Sequence, residues 1–304
     1  MAAVTAGAAL CQSTPGEKAA QKPAKLRDVG TWIAFTQPIR EPAAPGRALG
    51  RVDVKKTVQA LLVTRLDTYC FFIWQGPNDL EDFKQLLIAT QRAKINMWVC
   101  IAPPQVGANS LPHRGSYGTW TSEFVDLARR HPNLTAFFLF DLDVGRNSKL
   151  FHPVRVNGMR KAFNSVGMNM VIGLKDVTST FTNIFGKGAD AVVVNYTNQQ
   201  TIGNLSGLLA GARALGAPHW KLIAGYYCST TPWSPRPPTP DWLWYGMRRV
   251  LKKECDACVL TDLDFRTPAP HDRGPRGVSK LTLTAKNFLQ AVKAGNPPPP
   301  PRYK

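Results

Sequence analysis

Short apolar runs alternate with amphipathic stretches along most of the chain. The runs fall at 29–35 (VGTWIAF), 68–74 (TYCFFIW), 96–102 (NMWVCIA), 134–143 (LTAFFLFDLD), 168–174 (MNMVIGL), 189–196 (ADAVVVNY), 220–228 (WKLIAGYYC) and 257–265 (ACVLTDLDF). Each is short and lacks the apolar–polar alternation of a strand with one wet face. Each therefore predicts a strand buried on both sides. The intervening stretches 52–66, 78–93, 119–130, 152–166, 178–185, 204–215, 241–254 and 281–294 read as helices. In the first of these Val54, Val58, Leu61, Leu62 and Leu66 fall roughly on one face. In the second, Asn78 is a candidate N-cap with Asp79, Glu81 and Asp82 in the first turn.

Strand and helix alternate eight times with no strand–strand hairpin, which calls for a parallel sheet joined by helical crossovers. Eight such units in 304 residues match an α/β fold of the (β/α)8 TIM-barrel type. A doubly wound open sheet is the alternative, but it usually carries a glycine-rich turn after its first strand, and FTQP at 35–38 is not one. The expected organisation is a flexible leader at 1–26, a barrel at 27–295 and a proline-rich tail at 296–304. That tail is a stiff polyproline segment that a partner could read.

Charge adds a second constraint. The net charge is +18, from 38 Lys+Arg against 20 Asp+Glu. Such an excess attracts polyanions: nucleic acid, an anionic membrane or an acidic polysaccharide. The basic residues are spread over helices and loops, which does not favour a dedicated nucleic-acid surface. No run is long enough for a membrane span. Residues 1–10 lack the basic n-region of a signal peptide, so the compartment stays open between cytoplasm and secretion by another route. There are six cysteines. Cys70, Cys100 and Cys228 lie in strand-like runs, where a buried thiol is the default. Cys255 and Cys258 form a lone CxxC, expected as a reduced or surface pair at a helix end, since no second pair stands at zinc-site spacing. No cofactor or metal is implied.

In a barrel of this type, chemistry sits at the C-terminal ends of the strands. Strand four ends in Asp141 and Asp143. Residues two apart in a strand point the same way, and two neighbouring anions have their pKa values pushed apart. One acid protonated beside one ionised is what acid–base cleavage of a glycosidic bond requires. Strand two ends in Trp74 and Gln75, strand five in Lys175 and Asp176, and strand six in Asn195 and Tyr196. Strand seven ends in Tyr226 and Tyr227, and strand eight in Asp262 and Asp264. Aromatic faces stack on sugar rings, while carboxylates and amides bind hydroxyls, so this set suits a carbohydrate. The bland alternative is that each acid caps the next helix or pairs with Arg146, Lys175 or Arg266, and that the aromatics only pack. His113 and His271 sit in loops that could reach the site.

The phrase FFLFDLDV resembles the strand-four DxD core of the chitinase-like glycoside hydrolase family 18. VVVNYT resembles that family's strand-six motif, whose tyrosine assists the substrate's acetamido group. His131-Pro132-Asn133-Leu134 before an apolar strand ending in acids is similar to uncharacterised bacterial glycosidase barrels. The resemblance implies a barrel acting on glycans. It departs from the DxDxE pattern: with Asp141 and Asp143 as the two aspartates, the proton-donating Glu falls at Gly145. With Asp143 in the Glu position, the first aspartate falls at Leu139.

Three readings follow. The first is a divergent glycoside hydrolase, with Asp143 as general acid/base and Asp141 tuning it or acting as nucleophile or water-activating base. Trp74, Gln75, Asp176, Asn195, Tyr196, Tyr226, Asp262 and Asp264 would bind substrate, and the basic surface makes an acidic glycan plausible. The second is a non-catalytic glycan-binding or assembly-docking barrel. The third is a lyase or aldolase built on Lys175.

Overall fold

A computed structural model describes residues 24–46, 49–74, 76–101, 113, 115–140, 142, 151–196, 202–230, 238–265, 279–296 and 298. Each of the eight apolar runs contains a strand: β1 (Trp32–Phe35), β2 (Thr68–Ile73), β3 (Asn96–Ile101), β4 (Leu134–Leu139), β5 (Asn169–Leu174), β6 (Ala191–Tyr196), β7 (Lys221–Tyr227) and β8 (Ala257–Thr261). Each pairs in parallel with the next, and β8 pairs with β1, so the sheet closes. Around it run α1 (Val54–Thr64), α2 (Asp79–Arg92), α3 (Tyr117–Arg130), α4 (Pro153–Asn164), α5 (Ser179–Phe185), α6 (Leu205–Leu215), α7 (Pro240–Leu251) and α8 (Lys280–Lys293). The fold is a (β/α)8 barrel. No helix among the described residues is long and apolar enough to cross a membrane.

Alternate residues of each strand enter two separate apolar clusters. One fills the barrel and takes Ile33, Phe35, Cys70, Trp98, Cys100, Ala136, Phe138, Val171, Val193, Ile223 and Val259. The other lies between strands and helices and takes the opposite parity, including Tyr69, Phe71, Phe137, Leu139, Val194, Tyr196, Tyr226 and Leu260. Both faces are apolar, which is why the runs showed no alternation.

The N-terminal ends of the strands are stitched by carboxylates. Asp67 accepts the N–H groups of Thr31 and Trp32, Asp190 that of Met170 at 2.8 Å, and Asp256 that of Leu222 at 2.7 Å. Residues 24–30 cross beneath this end. The Arg27 guanidinium donates to the carbonyls of Leu134 at 2.8 Å and Ala128 at 3.0 Å, and Trp98, inside the barrel, donates its indole N–H to Val29. Conserving stability at this end leaves the opposite end for chemistry.

Three local expectations change. Asn78 occupies the N-cap position of α2 but makes no side-chain cap bond. Cys255 and Cys258 are free thiols, as a reduced pair requires, but both are buried and Cys258 lies inside β8 rather than at a helix end. The strand expected over 134–143 is shorter: β4 ends at Leu139, and Phe140 after it is in a turn.

Candidate active site

Inside the barrel an aromatic column climbs from the stability end to the mouth. Trp98 meets Phe138 edge-on at 5.8 Å, Phe138 meets Phe35 at 5.5 Å, and Phe35 meets Phe140 at 5.2 Å and Phe72 at 5.7 Å. Trp74 stacks on Phe72 at 5.4 Å, with the ring planes 20° apart. Aromatic contacts of this kind add to the area they bury, and they fix the rings above them. The lower rings are buried, whereas Phe72, Trp74 and Phe140 are partly exposed. Those three, with Phe35, Gln37, Tyr227, Thr261 and Asp262, line a cavity of about 210 Å³ at the C-terminal mouth. That is below the roughly 300–1,000 Å³ of sites for drug-sized ligands, so the cavity has room for one small ring.

The wall is held from behind. Asp79, wholly buried in the first turn of α2, accepts the Trp74 N–H at 3.1 Å and the Gly76 N–H at 3.0 Å, and pairs with Arg40 at 2.8 Å. A side chain at Gly76 would collide with this carboxylate. Asp82, equally buried, accepts the Val52 N–H and pairs with Arg51. The acids expected to complement the α2 dipole therefore also fasten the loop after β1 to the end of β2. Across the seam, the Tyr69 hydroxyl donates to the Thr36 carbonyl, and the Thr36 hydroxyl to that of Leu263.

Asp262 stands where β8 ends. Its N–H donates to the Phe35 carbonyl at 2.8 Å, and its Oδ2 accepts the Ser229 hydroxyl at 2.9 Å. Its backbone is left-handed, with φ of 57°. The other described non-glycine residues with positive φ (Arg65, Lys94 and Lys253) lie at or just past helix C-termini, where that conformation ends a helix. Asp262 has no such reason. A left-handed non-glycine residue at a strand end is a small store of strain of the kind found at working sites. Burial, then the charge of Asp262, pushes the neighbouring Cys228 thiol far above its usual range.

The candidate residues divide sharply. Trp74 lines the cavity, as does Asp262, while Asp264 lines an adjoining cleft. Asn195 is buried on the barrel-facing parity of β6, and a side chain at Gly225 of β7 would collide with it. Tyr196 and Tyr226 do not reach the mouth. Tyr226 is fully buried on the outer side of β7, donates its hydroxyl to the Gly246 carbonyl at 2.9 Å and meets Trp242 edge-on at 5.5 Å. Tyr196 stacks on the same Trp242 at 6.2 Å. Burial pushes both phenols above their ordinary range. Neither ring offers a face to a sugar at the mouth, which corrects the platform expected at Tyr226 and the substrate contact expected at Tyr196. Asp176 and Lys175 are exposed at the end of β5 and line neither concavity. His113 packs edge-on against Trp120 of α3 at 4.6 Å, away from the cavity. Gln75, Asp141, Asp143, Arg146, Arg266 and His271 lie outside the described residues. Among the described residues, no three metal-ligating side chains cluster.

Beside Trp74 and Phe35, the rings of Phe72, Phe140 and Tyr227 line the cavity. The missed signal is Gly225. A glycine inside a strand marks a close approach; counting from it as an inward position puts Tyr227 inside and Tyr226 outside.

The chain shares its barrel with glycoside hydrolases. One glycoside hydrolase aligns with a TM-score of 0.58 at 11% identity, over 87% of this chain and 69% of its own. A protein provisionally identified as an alpha-L-fucosidase from Bacteroides thetaiotaomicron aligns at 0.57 and 8% identity, over 92% and 98%. A chitinase from Chromobacterium violaceum aligns at 0.52 and 9% identity, over 85% and 99%. At these identities the likeness is one of fold. No family model matches the sequence, and no curated protein matches it.

Proposed function

We propose that this protein is a divergent glycoside hydrolase that seats a sugar ring in the aromatic cavity at the barrel mouth. The observation that carries the reading is the composition of that cavity. Phe72, Trp74, Phe140 and Tyr227 supply faces for the apolar side of a pyranose, while Gln37, Thr261 and Asp262 supply groups for its hydroxyls. Asp141 and Asp143 follow directly on Phe140, a wall residue. Asp143 acts as general acid, giving its proton to the glycosidic oxygen as the C1–O bond breaks. Asp141 tunes that proton's affinity, and water adds hydroxide to C1 while returning a proton to a carboxylate. The exposure of Lys175 does not favour Schiff-base chemistry, which needs a desolvated amine.

Asp143→Asn abolishes turnover of a responsive glycan and leaves its binding intact. Reducing-sugar release across a broad polysaccharide panel, with binding read in parallel, tests this. Glycans bound but never cleaved by the unaltered protein would replace the hydrolase with a glycan-binding barrel. That second reading has its own support: Gly145 stands where a family 18 enzyme keeps its Glu.

A further inference from the structure

The 210 Å³ cavity does not end at Asp262. A cleft of about 630 Å³ opens on its other side, between the ends of β1, β7 and β8 and the starts of α7 and α8. The two concavities share Thr36, Gln37 and Asp262. Their linings differ. The cavity is mostly aromatic; the cleft carries Ser229, Thr230, Asp264 and Lys280, with Phe265 as the one aromatic residue among its described lining. One concavity is sized for a single ring and the other falls within the range for larger ligands. Of the three shared residues Asp262 is the charged one, with a left-handed backbone and a carboxylate that accepts the Ser229 hydroxyl.

We propose that the cleft is a second sugar subsite and that Asp262 is the residue joining the two, so that the substrate is an oligosaccharide of at least two units whose linkage crosses the Asp262 carboxylate. The first unit stacks in the aromatic cavity. The second lies in the cleft, its hydroxyls met by Ser229, Thr230 and Asp264. Asp262 accepts hydroxyl hydrogen bonds from the units on both sides of the linkage, so it reads the connection between them. This inference rests on the glycan reading of the mouth and adds the length of the ligand and the residue that measures it.

The test follows Trp74 fluorescence in the full chain during titration with matched mono- and disaccharides, covering neutral, N-acetylated and uronic sugars. A Trp74→Phe variant identifies the responding signal. The expected result is a disaccharide that binds about tenfold or more tightly than its own monosaccharide. Asp262→Asn should weaken both ligands and reduce the disaccharide's advantage over its own monosaccharide to near parity, the ratio of the two affinities being the readout. Asp262→Gly suits the left-handed backbone, so it should lose the same advantage at a melting temperature within about 2 °C of the unaltered protein, which separates lost contact from lost fold. Equal affinity for mono- and disaccharide, or an Asp262→Asn protein that keeps the full advantage, overturns the inference and leaves the glycan reading standing. An unaltered protein that binds no sugar in the panel overturns both.

Discussion

Tyr226 and Tyr227 are neighbours in the chain and face opposite sides of β7. Tyr226 spends its hydroxyl on the Gly246 carbonyl in a dry layer, where the ring atoms would stand only 2.9 Å from a side chain placed at Gly246. Tyr227 lines the cavity. Tyr226→Phe should therefore cost about 1 kcal/mol in urea denaturation and leave glycan affinity unchanged. Tyr227→Leu should weaken glycan binding about tenfold, the loss of one stacking surface. Titration of both variants with the same sugar decides the matter, and equal binding losses would sink the assignment of faces.

The ends of the elements are set by groups well behind them. Asp79 belongs to α2 but holds the last residues of β2, and Arg40 from the loop after β1 balances its charge. Removing one member of a buried ion pair strands the other, so Asp79→Ala should cost about 3–5 kcal/mol by thermal or chemical unfolding. Because the Trp74 N–H loses its acceptor, glycan affinity should fall too, although Asp79 never touches the ligand. A variant with full stability would mean that Asp79 is not the anchor. The elements themselves were legible: each apolar run holds a strand, and each amphipathic stretch a helix within a few residues. What the runs could not reveal was the face each residue takes. A strand buried on both sides has no polar alternation to read, so Asn195 and Tyr196, or Tyr226 and Tyr227, look equivalent until a partner strand fixes the parity. The rings of Phe35, Phe72 and Phe140 were hidden for the same reason, since apolar residues in an apolar run carry no sign of facing an opening.

Across the whole molecule, the two ends of the barrel are divided by task. Among the described residues, the charged side chains lining the cavity and cleft are Asp262, Asp264 and Lys280. The opposite end is closed by Asp67, Asp190 and Asp256 and by Arg27 beneath them. Arg27→Ala should lower stability by about 1–3 kcal/mol, as carbonyls lose a charged donor, and leave glycan binding untouched; a melting curve beside a sugar titration reads both. The seam between β1 and β8 has a further consequence for a chain made from one end. Phe35 and Gln37 are synthesised early, whereas Thr261 and Asp262 emerge from the ribosome only after most of the barrel, yet all four line one cavity. Until β8 arrives, β1 has an open edge, the kind of template that invites pairing with another chain. A polypeptide stalled before residue 257 lacks Thr261 and Asp262, so its cavity wall is incomplete. Closure of the barrel and completion of the cavity wall therefore wait on the same late strand.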